Sequence, residues 1–317
     1  MNRRVLVVGA SGYIGRHVCE RLAAIGKTYA AVVRSGPTSI DPACFPGGAV
    51  IAGLDLTTLA DSHVLYEFDD IILLASGSVP ATFPDSLQDE AACNLHPHAT
   101  FLSKVTANQR VIYVSSGGTV YGEARSKGGS CEGDILQPRS MYGLVKAMIE
   151  QTVAFYGRRN PYQFVILRPS NPIGPPVWSR TQKSIKRQQG AVFNILNTIF
   201  NGGTVTQIGD GTVVRDYFDI RDLADCIGLV VERPELTGLT INAGSGTGLS
   251  IPRLLDIIRD VVGDRFSVEE RPARAFDVRR SILNVSTARD LLGWVPVRSV
   301  EQSVADTWTW FGEETKA

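Results

Sequence analysis

Long apolar runs are missing from this sequence. No stretch approaches the ~20 consecutive apolar residues that cross a bilayer, so a membrane-spanning chain is not expected. An excess of one charge is missing too. Lys and Arg together number 32, as do Asp and Glu, which argues against a polyanion such as nucleic acid as a partner. The five cysteines (Cys19, Cys44, Cys93, Cys131, Cys226) are scattered, odd in number and without CxxC spacing. They read as reduced thiols, neither a disulfide frame nor a metal site. Histidine is scarcer still. Of the four, His96 and His98 flank a proline, but no acidic or cysteine ligand stands beside them at a metal spacing, and no metal is expected. Two arginines lead from Met1 straight into Val5-Leu6-Val7-Val8, without the longer apolar stretch or small-residue cleavage site of a secretory signal. These absences together predict a soluble, cytoplasmic protein.

What remains is ordinary globular material, 44% hydrophobic and 20% charged, in a chain of 317 residues. That length suits one large α/β unit, or one and a half domains. Short apolar runs alternate with helix-compatible segments in the first half, the mark of βαβ units around a parallel sheet. Strands are expected at 4–8, 29–34, 50–53, 70–75, 110–115 and 163–168, with helices near 13–25, 85–107 and 141–156. Several strand segments are continuously apolar, as for strands covered on both faces. Right-handed crossovers then give a Rossmann doubly wound parallel sheet. Beyond Arg168 the prolines Pro169, Pro172, Pro175 and Pro176 break the pattern, and a basic stretch with Arg180, Lys183, Lys186 and Arg187 follows. A short helix, a strand at 204–208 and helices near 223–232 and 251–262 come after it. Residues 1–170 are therefore expected to hold a dinucleotide. Residues 171–317 are expected to form a smaller, irregular, mainly substrate-binding region, with some elements returning to the sheet.

Gly9-Ala10-Ser11-Gly12-Tyr13-Ile14-Gly15 is a GxxGxxG run directly after the first strand, opening a helix. The first glycine permits the tight turn, the second lets backbone approach a pyrophosphate, and the third lets helix and strand pack closely. Free N–H groups and the positive dipole end at the helix start suit phosphate. Gly9, Ser11, Gly12, Tyr13, Ile14 and Gly15 are the expected cradle. In such a unit the end of the second strand reads the adenosine ribose, an acid for NAD or an arginine for a 2′-phosphate. This chain has Arg34 there and no acid. Either Arg34 selects NADP or it is a solvated arginine beside the adenine of NAD. Asp55 and Leu56 are placed to meet the adenine, while Ala75 and Ser76 would line the cofactor trough.

Tyr142-Gly143-Leu144-Val145-Lys146 is YxxxK, its two functional side chains one helical turn apart on one face. A phenol near pKa 10 is a poor base at neutral pH; a neighbouring ammonium and a nicotinamide cation stabilise its phenolate. Tyrosine so tuned can take a proton from an alcohol while the cofactor takes the hydride. Lys146 would also reach the nicotinamide ribose.

The fifth strand runs into Ser115-Ser116-Gly117-Gly118-Thr119-Val120-Tyr121-Gly122. With the glycine loop and YxxxK, this segment resembles the extended short-chain dehydrogenase/reductase superfamily. Within it the chain is most similar to the NAD-dependent epimerase/dehydratase family, on the side of the UDP-glucose 4-epimerase-like sugar epimerases. The resemblance covers nearly the whole length. It implies a Ser or Thr hydroxyl beside the tyrosine, four residues before the Tyr of the VYG triplet, where this chain has Gly117. Ser116 is the expected replacement and Thr119 the other candidate, with Ser115 on the cofactor side. The Asp-Glu pair of the related dehydratases is replaced by Gly118-Thr119, which disfavours elimination of water. Cys131, His96 and His98 do not match the epimerase-reductases that use a Cys and a His.

The resemblance further implies that Pro169 backs the nicotinamide and Asn171 touches the substrate. It also implies that Arg215 of Arg215-Asp216-Tyr217 binds a diphosphate, with Arg274 and Asp277 as a second contact to phosphate and ribose. Paired guanidinium forks suit a pyrophosphate. Ser78 and Thr119 complete the expected substrate contacts. The implied activity is a nucleotide-sugar 4-epimerase on a UDP-hexose-like substrate, working through a transient 4-keto intermediate in a homodimer. An NADP-dependent 4-keto-sugar reductase is the rival enzyme, and a non-catalytic dinucleotide-binding regulator is the rival outside enzymes.

Overall fold

A computed structural model describes residues 3–34, 44–78, 86–124, 126–177, 190–273 and 278–313. Its main sheet has seven strands. They are β1 (Val5–Val8), β2 (Tyr29–Val33), β3 (Ala49–Ala52), β4 (Asp70–Leu73), β5 (Arg110–Val114), β6 (Gln163–Pro169) and a last strand at Leu239–Ala243. From one edge the order is Leu239–Ala243, β6, β5, β4, β1, β2, β3. β1 pairs in parallel on both sides, Val5 lying opposite Tyr29 in β2 and Asp70 in β4. The chain travels outward from β1 to β3, then returns to build the other half from β4. Strand order reverses there, and the crevice beyond the carboxyl ends of such strands is where this architecture binds ligands. The glycine loop follows β1 directly.

Every residue of β1, β2, β4 and β5 is buried. That explains why these strands read as continuous apolar runs: helices cover both faces. One side of the sheet packs Leu6, Ile71 and Val111 against Val145, Ile149 and Val153 of the helix Met141–Arg159. Each such side chain contributes roughly 1.5–3 kcal/mol on burial.

The chain forms two compact units. The first comprises Met1–Ser116, Ser140–Arg168 and Ala224–Ile241, and the second Gly117–Arg139, Pro169–Leu223 and Asn242–Ala317. The second has its own apolar core, in which Phe193, Leu196, Leu254, Ile258 and Phe311 meet. Small parallel pairs support it, Asn171–Ile173 with Tyr217–Asp219 and Val205–Ile208 with Val268–Arg271.

Helices α1 (Tyr13–Ala24) and α2 (Leu56–Ala60) follow the first and third strands. Where one helix is expected at 85–107, three segments occur. They are α3 (Leu87–Glu90), a five-residue π turn (Ala91–Leu95) and α4 (His96–Leu102). The break has a local cause. Pro97 has no N–H for the carbonyl of Cys93 and its ring crowds that turn, so the helix widens just upstream. Residues 117–120 form a single helical turn, α5 (Gly117–Val120). Helix α6 (Met141–Arg159) runs three residues past its expected end and starts on Ser140, whose hydroxyl accepts the Gly143 N–H at 3.1 Å.

Candidate active site

The glycine loop shows why it needs glycine. Gly9 has φ +92°, and a Cβ there would lie 2.8 Å from the Ala75 backbone nitrogen. A Cβ on Gly15 would collide with the Gly9 carbonyl and the Ala10 backbone. Unlike α6, α1 has no side-chain cap hydrogen bond at its N-cap, Gly12, and its first turn holds no acid, as in α6. N–H groups at a helix start, a positive dipole end and close backbone approach fit the pyrophosphate of a dinucleotide.

Arg34 is exposed at the end of β2. Asp55 caps α2, accepting the N–H groups of Thr57 and Thr58 at 2.9 Å. Those bonds, chiefly with Thr58, hold its carboxyl below the usual range, and the charge of Arg34 adds to them. Leu56 is buried beneath. After β4, Ala75 is half-buried, and the Ser76 hydroxyl donates to the Ser78 carbonyl at 2.7 Å.

Tyr142 and Lys146 lie on the buried face of α6, 8% and 6% exposed. Lys146 Nζ stands 5.8 Å from the centre of the Tyr142 ring and 5.2 Å from that of Tyr113. Nζ donates to the Val114 carbonyl at 3.4 Å. Burial is the main force on both groups. It lowers Lys146 to about 8, against the pull of Glu150 and Glu90. It raises Tyr142, as does Glu90, while a hydrogen bond with the Ser116 hydroxyl works the other way. Ser116 is therefore the hydroxyl next to Tyr142. The Ser115 hydroxyl is buried and has no hydrogen-bond partner among the described residues. β5 ends at Val114 and α5 begins at Gly117, so the two serines occupy the joint between them.

In the second unit, Pro169 is buried where β6 ends, and Thr119 is half-buried in α5. Asn171 donates through Nδ2 to the Asp216 carbonyl at 3.0 Å. Arg215 donates through Nη1 to the carbonyls of Val278 at 2.6 Å and Val214 at 3.0 Å. Arg274 and Asp277 lie outside the described residues. This unit also holds a cavity of about 930 Å³ with three arginines (Arg139, Arg271, Arg279) and three acids (Glu123, Asp210, Glu270) in its wall.

Beside Tyr142 and Lys146 lies a buried polar cluster that sequence reasoning missed. The Glu90 carboxylate accepts through Oε1 from the Ser78 hydroxyl at 2.6 Å and from Asn94 Nδ2 at 2.9 Å. Ser78, expected to touch substrate, thus binds Glu90. His98 Nδ1 meets the Asn94 carbonyl at 2.6 Å, and its ring packs edge-on against Tyr113. The local signal that could have found it is Pro97, which breaks the helix expected to carry Glu90, Asn94 and His98.

This geometry joins a dinucleotide cradle to a buried tyrosine–lysine pair with a serine at the phenol. The sequence profile of the NAD dependent epimerase/dehydratase family matches residues 5–244. The chain belongs to that family. It is 28% identical over 325 residues to a UDP-glucose 4-epimerase of Rhizobium leguminosarum bv. trifolii, covering 98% of each chain. It is also 28% identical over 323 residues to a UDP-glucose 4-epimerase of Mycolicibacterium smegmatis, covering 99% of this chain and all of that one. Among solved structures, the UDP-glucose 4-epimerase of Thermotoga maritima with UDP-glucose superposes with a TM-score of 0.85. It is 26% identical, over 98% of this chain and 99% of that one. The Rossmann sheet expected from the motifs is thus the architecture found, and it is one this family's epimerases share.

Proposed function

We propose that the protein is a nucleotide-sugar 4-epimerase acting on a UDP-hexose-like substrate through a transient 4-keto sugar. The observation that carries this reading is the convergence of Tyr142, Lys146 and Ser116 at one buried point. Relatives named UDP-glucose 4-epimerase, similar along their whole length, support it. A bound nicotinamide dinucleotide would supply the hydride acceptor and donor. Tyr142 takes the proton from the C4 hydroxyl as that carbon is oxidised, and Lys146 stabilises the phenolate. Ser116 donates a hydrogen bond that holds the alcohol and then the keto oxygen. After the sugar has turned, Tyr142 returns the proton to that oxygen.

In this reading residues 1–170 carry the cofactor. Gly9, Ser11, Gly12, Tyr13, Ile14 and Gly15 hold the pyrophosphate, and Asp55 and Leu56 meet the adenine. Ala75, Ser76, Ser115 and Pro169 line the nicotinamide trough. Residues 171–317 mainly bind substrate, through Asn171, Arg215, Arg274 and Asp277, with Ser78 and Thr119 at the sugar end. Among the described residues no helix is long and apolar enough to cross a membrane, and we place the protein in the cytoplasm. Leu144, Met148 and Phe155 stand exposed on α6, an apolar stripe that supports a homodimer.

The second reading, an NADP-dependent 4-keto-sugar reductase, is favoured by exposed Arg34 at the ribose-reading position. Incubation with UDP-glucose and related UDP-hexoses, followed by nuclear magnetic resonance of the sugar, separates the two. Epimers at C4 formed without added reductant support the epimerase. Stoichiometric consumption of NADPH by a 4-keto sugar, without epimerisation, replaces it with the reductase.

A further inference from the structure

Glu90 is a carboxylate with almost no solvent contact, 1% exposed, at the junction of α3 and the π turn. Burying a carboxylate costs several kcal/mol unless charge and hydrogen bonds compensate. Among the described residues its hydrogen bonds come from neutral groups and both fall on Oε1, from Ser78 and Asn94. Oε2 has no hydrogen-bond partner among the described residues. Asn94, which holds it, is itself locked, since its Oδ1 accepts the Gly77 N–H at 2.7 Å and its Nδ2 also donates to Ser78 at 2.9 Å. The carboxylate is therefore fixed in place with no salt bridge among the described residues. The segment that carries it, α3 and the π turn, packs against α6, the helix of Tyr142 and Lys146, and its charge acts on both side chains.

We infer that Glu90 is a positioning residue of this site, a fixed negative charge that keeps the Tyr142 phenol protonated and Lys146 an ammonium. Proton removal by Tyr142 then waits for the positive charge of an oxidised nicotinamide. The chemistry is economical. A phenolate formed without a hydride acceptor would be useless, and beside Glu90 it would be repelled. Beside the positive charge of an oxidised nicotinamide that repulsion would be offset, and beside a reduced, neutral ring Tyr142 would keep its proton while the keto sugar turns. The other charged and titratable groups around the pair are on every neighbouring element. His98 lies on α4, Tyr113 on β5, and Glu150 on α6 is already bound to Arg168 of β6. Of the two acids acting on Lys146, Glu150 has this arginine as a partner; no such partner for Glu90 is found among the described residues.

The inference rests on Tyr142 as the proton-transfer residue, and its test is separable from that reading. In protein saturated with oxidised nicotinamide dinucleotide, the ionisation of Tyr142 is read from the ultraviolet absorbance of tyrosinate, with Tyr142→Phe as the blank. Glu90→Gln keeps an acceptor for Ser78 and Asn94 and removes the charge. Its midpoint should fall by about one pH unit, tenfold in the ionisation constant. The matching limb of the kcat/KM profile should move with it, and Glu90→Asp should stay near wild type. An unmoved midpoint in Glu90→Gln, or an equal shift in Gln and Asp variants, overturns the proposal. If Glu90→Gln does not fold, Glu90→Met carries the same expectation, because a buried charge can often be replaced by an apolar group of similar size. Near-normal turnover in Tyr142→Phe would instead remove the tyrosine reading itself.

Discussion

Arg168 closes a fork on Glu150, its Nε 3.1 Å from both carboxylate oxygens and its Nη2 2.6 Å from Oε2. Glu150 lies one turn beyond Lys146 on α6, and Arg168 is near the end of β6. The buried pair therefore clamps α6 to the sheet one turn from Lys146. Glu150→Ala should cost about 3–5 kcal/mol, because it leaves an arginine charge buried. Replacing both residues by methionine should recover most of that. Denaturant unfolding of the single and double variants checks it; a single variant as stable as wild type would mean that the clamp is idle.

Tyr142→Phe should lower turnover at least a hundredfold while leaving dinucleotide affinity nearly intact, since general acid–base catalysis is worth on the order of 10²–10⁴. Calorimetric titration beside steady-state rates makes the comparison.

Ser116 and Ser115 should behave very differently. Loss of the bond to Tyr142 in Ser116→Ala should cut turnover by about 10²-fold, the effect of one oriented donor. It should also move the tyrosine limb of the pH profile upward, because that bond favours the phenolate. Ser115→Ala should cost under ~1 kcal/mol in the transition state. A large loss confined to Thr119→Val would transfer the donor role to α5.

If Arg34 pairs with a 2′-phosphate, Arg34→Asp should weaken NADP at least about tenfold and leave NAD the better ligand. Titrating both cofactors into both proteins decides it. Equal losses would make Arg34 structural.

His98 should give the fold an acid-sensitive limb. Burial, and then the charge of Lys146, lower it from 6.5 to about 4. Below pH 6.5 the unfolded chain takes up a proton that the folded chain refuses. Stability present above pH 6.5 is therefore lost as the pH falls towards 4, by about 3 kcal/mol in full. His98→Phe keeps a ring against Tyr113 and should flatten that limb in thermal unfolding across this range. An unchanged slope would place the sensitivity elsewhere.

Short-range physics was legible in the residues. Gly9 announced a tight turn and Gly15 close packing of helix on strand, and the spacing of Tyr142 and Lys146 put both on one helical face whatever surrounded them. The helix Ile251–Val262 has the bounds expected of it, because its signals are local: a Ser250 cap, Pro252 in the first turn, and Gly263 at φ +77° just past the end. Tertiary structure decided the rest. Only the packed sheet brings Leu239–Ala243 beside β6, a pairing across more than seventy residues that no local pattern encodes. Which serine meets Tyr142 depended on where β5 stops and α5 begins, a boundary set by the pairing of β5 with its neighbours. Glu90 is the clearest case. Among polar neighbours in Gln88-Asp89-Glu90 it reads as a solvated helix residue, and only the folded chain turns it inward to Ser78 and Asn94. Burial of a charge depends on groups distant in sequence that surround it, so it is a property of the fold before it is one of the residue.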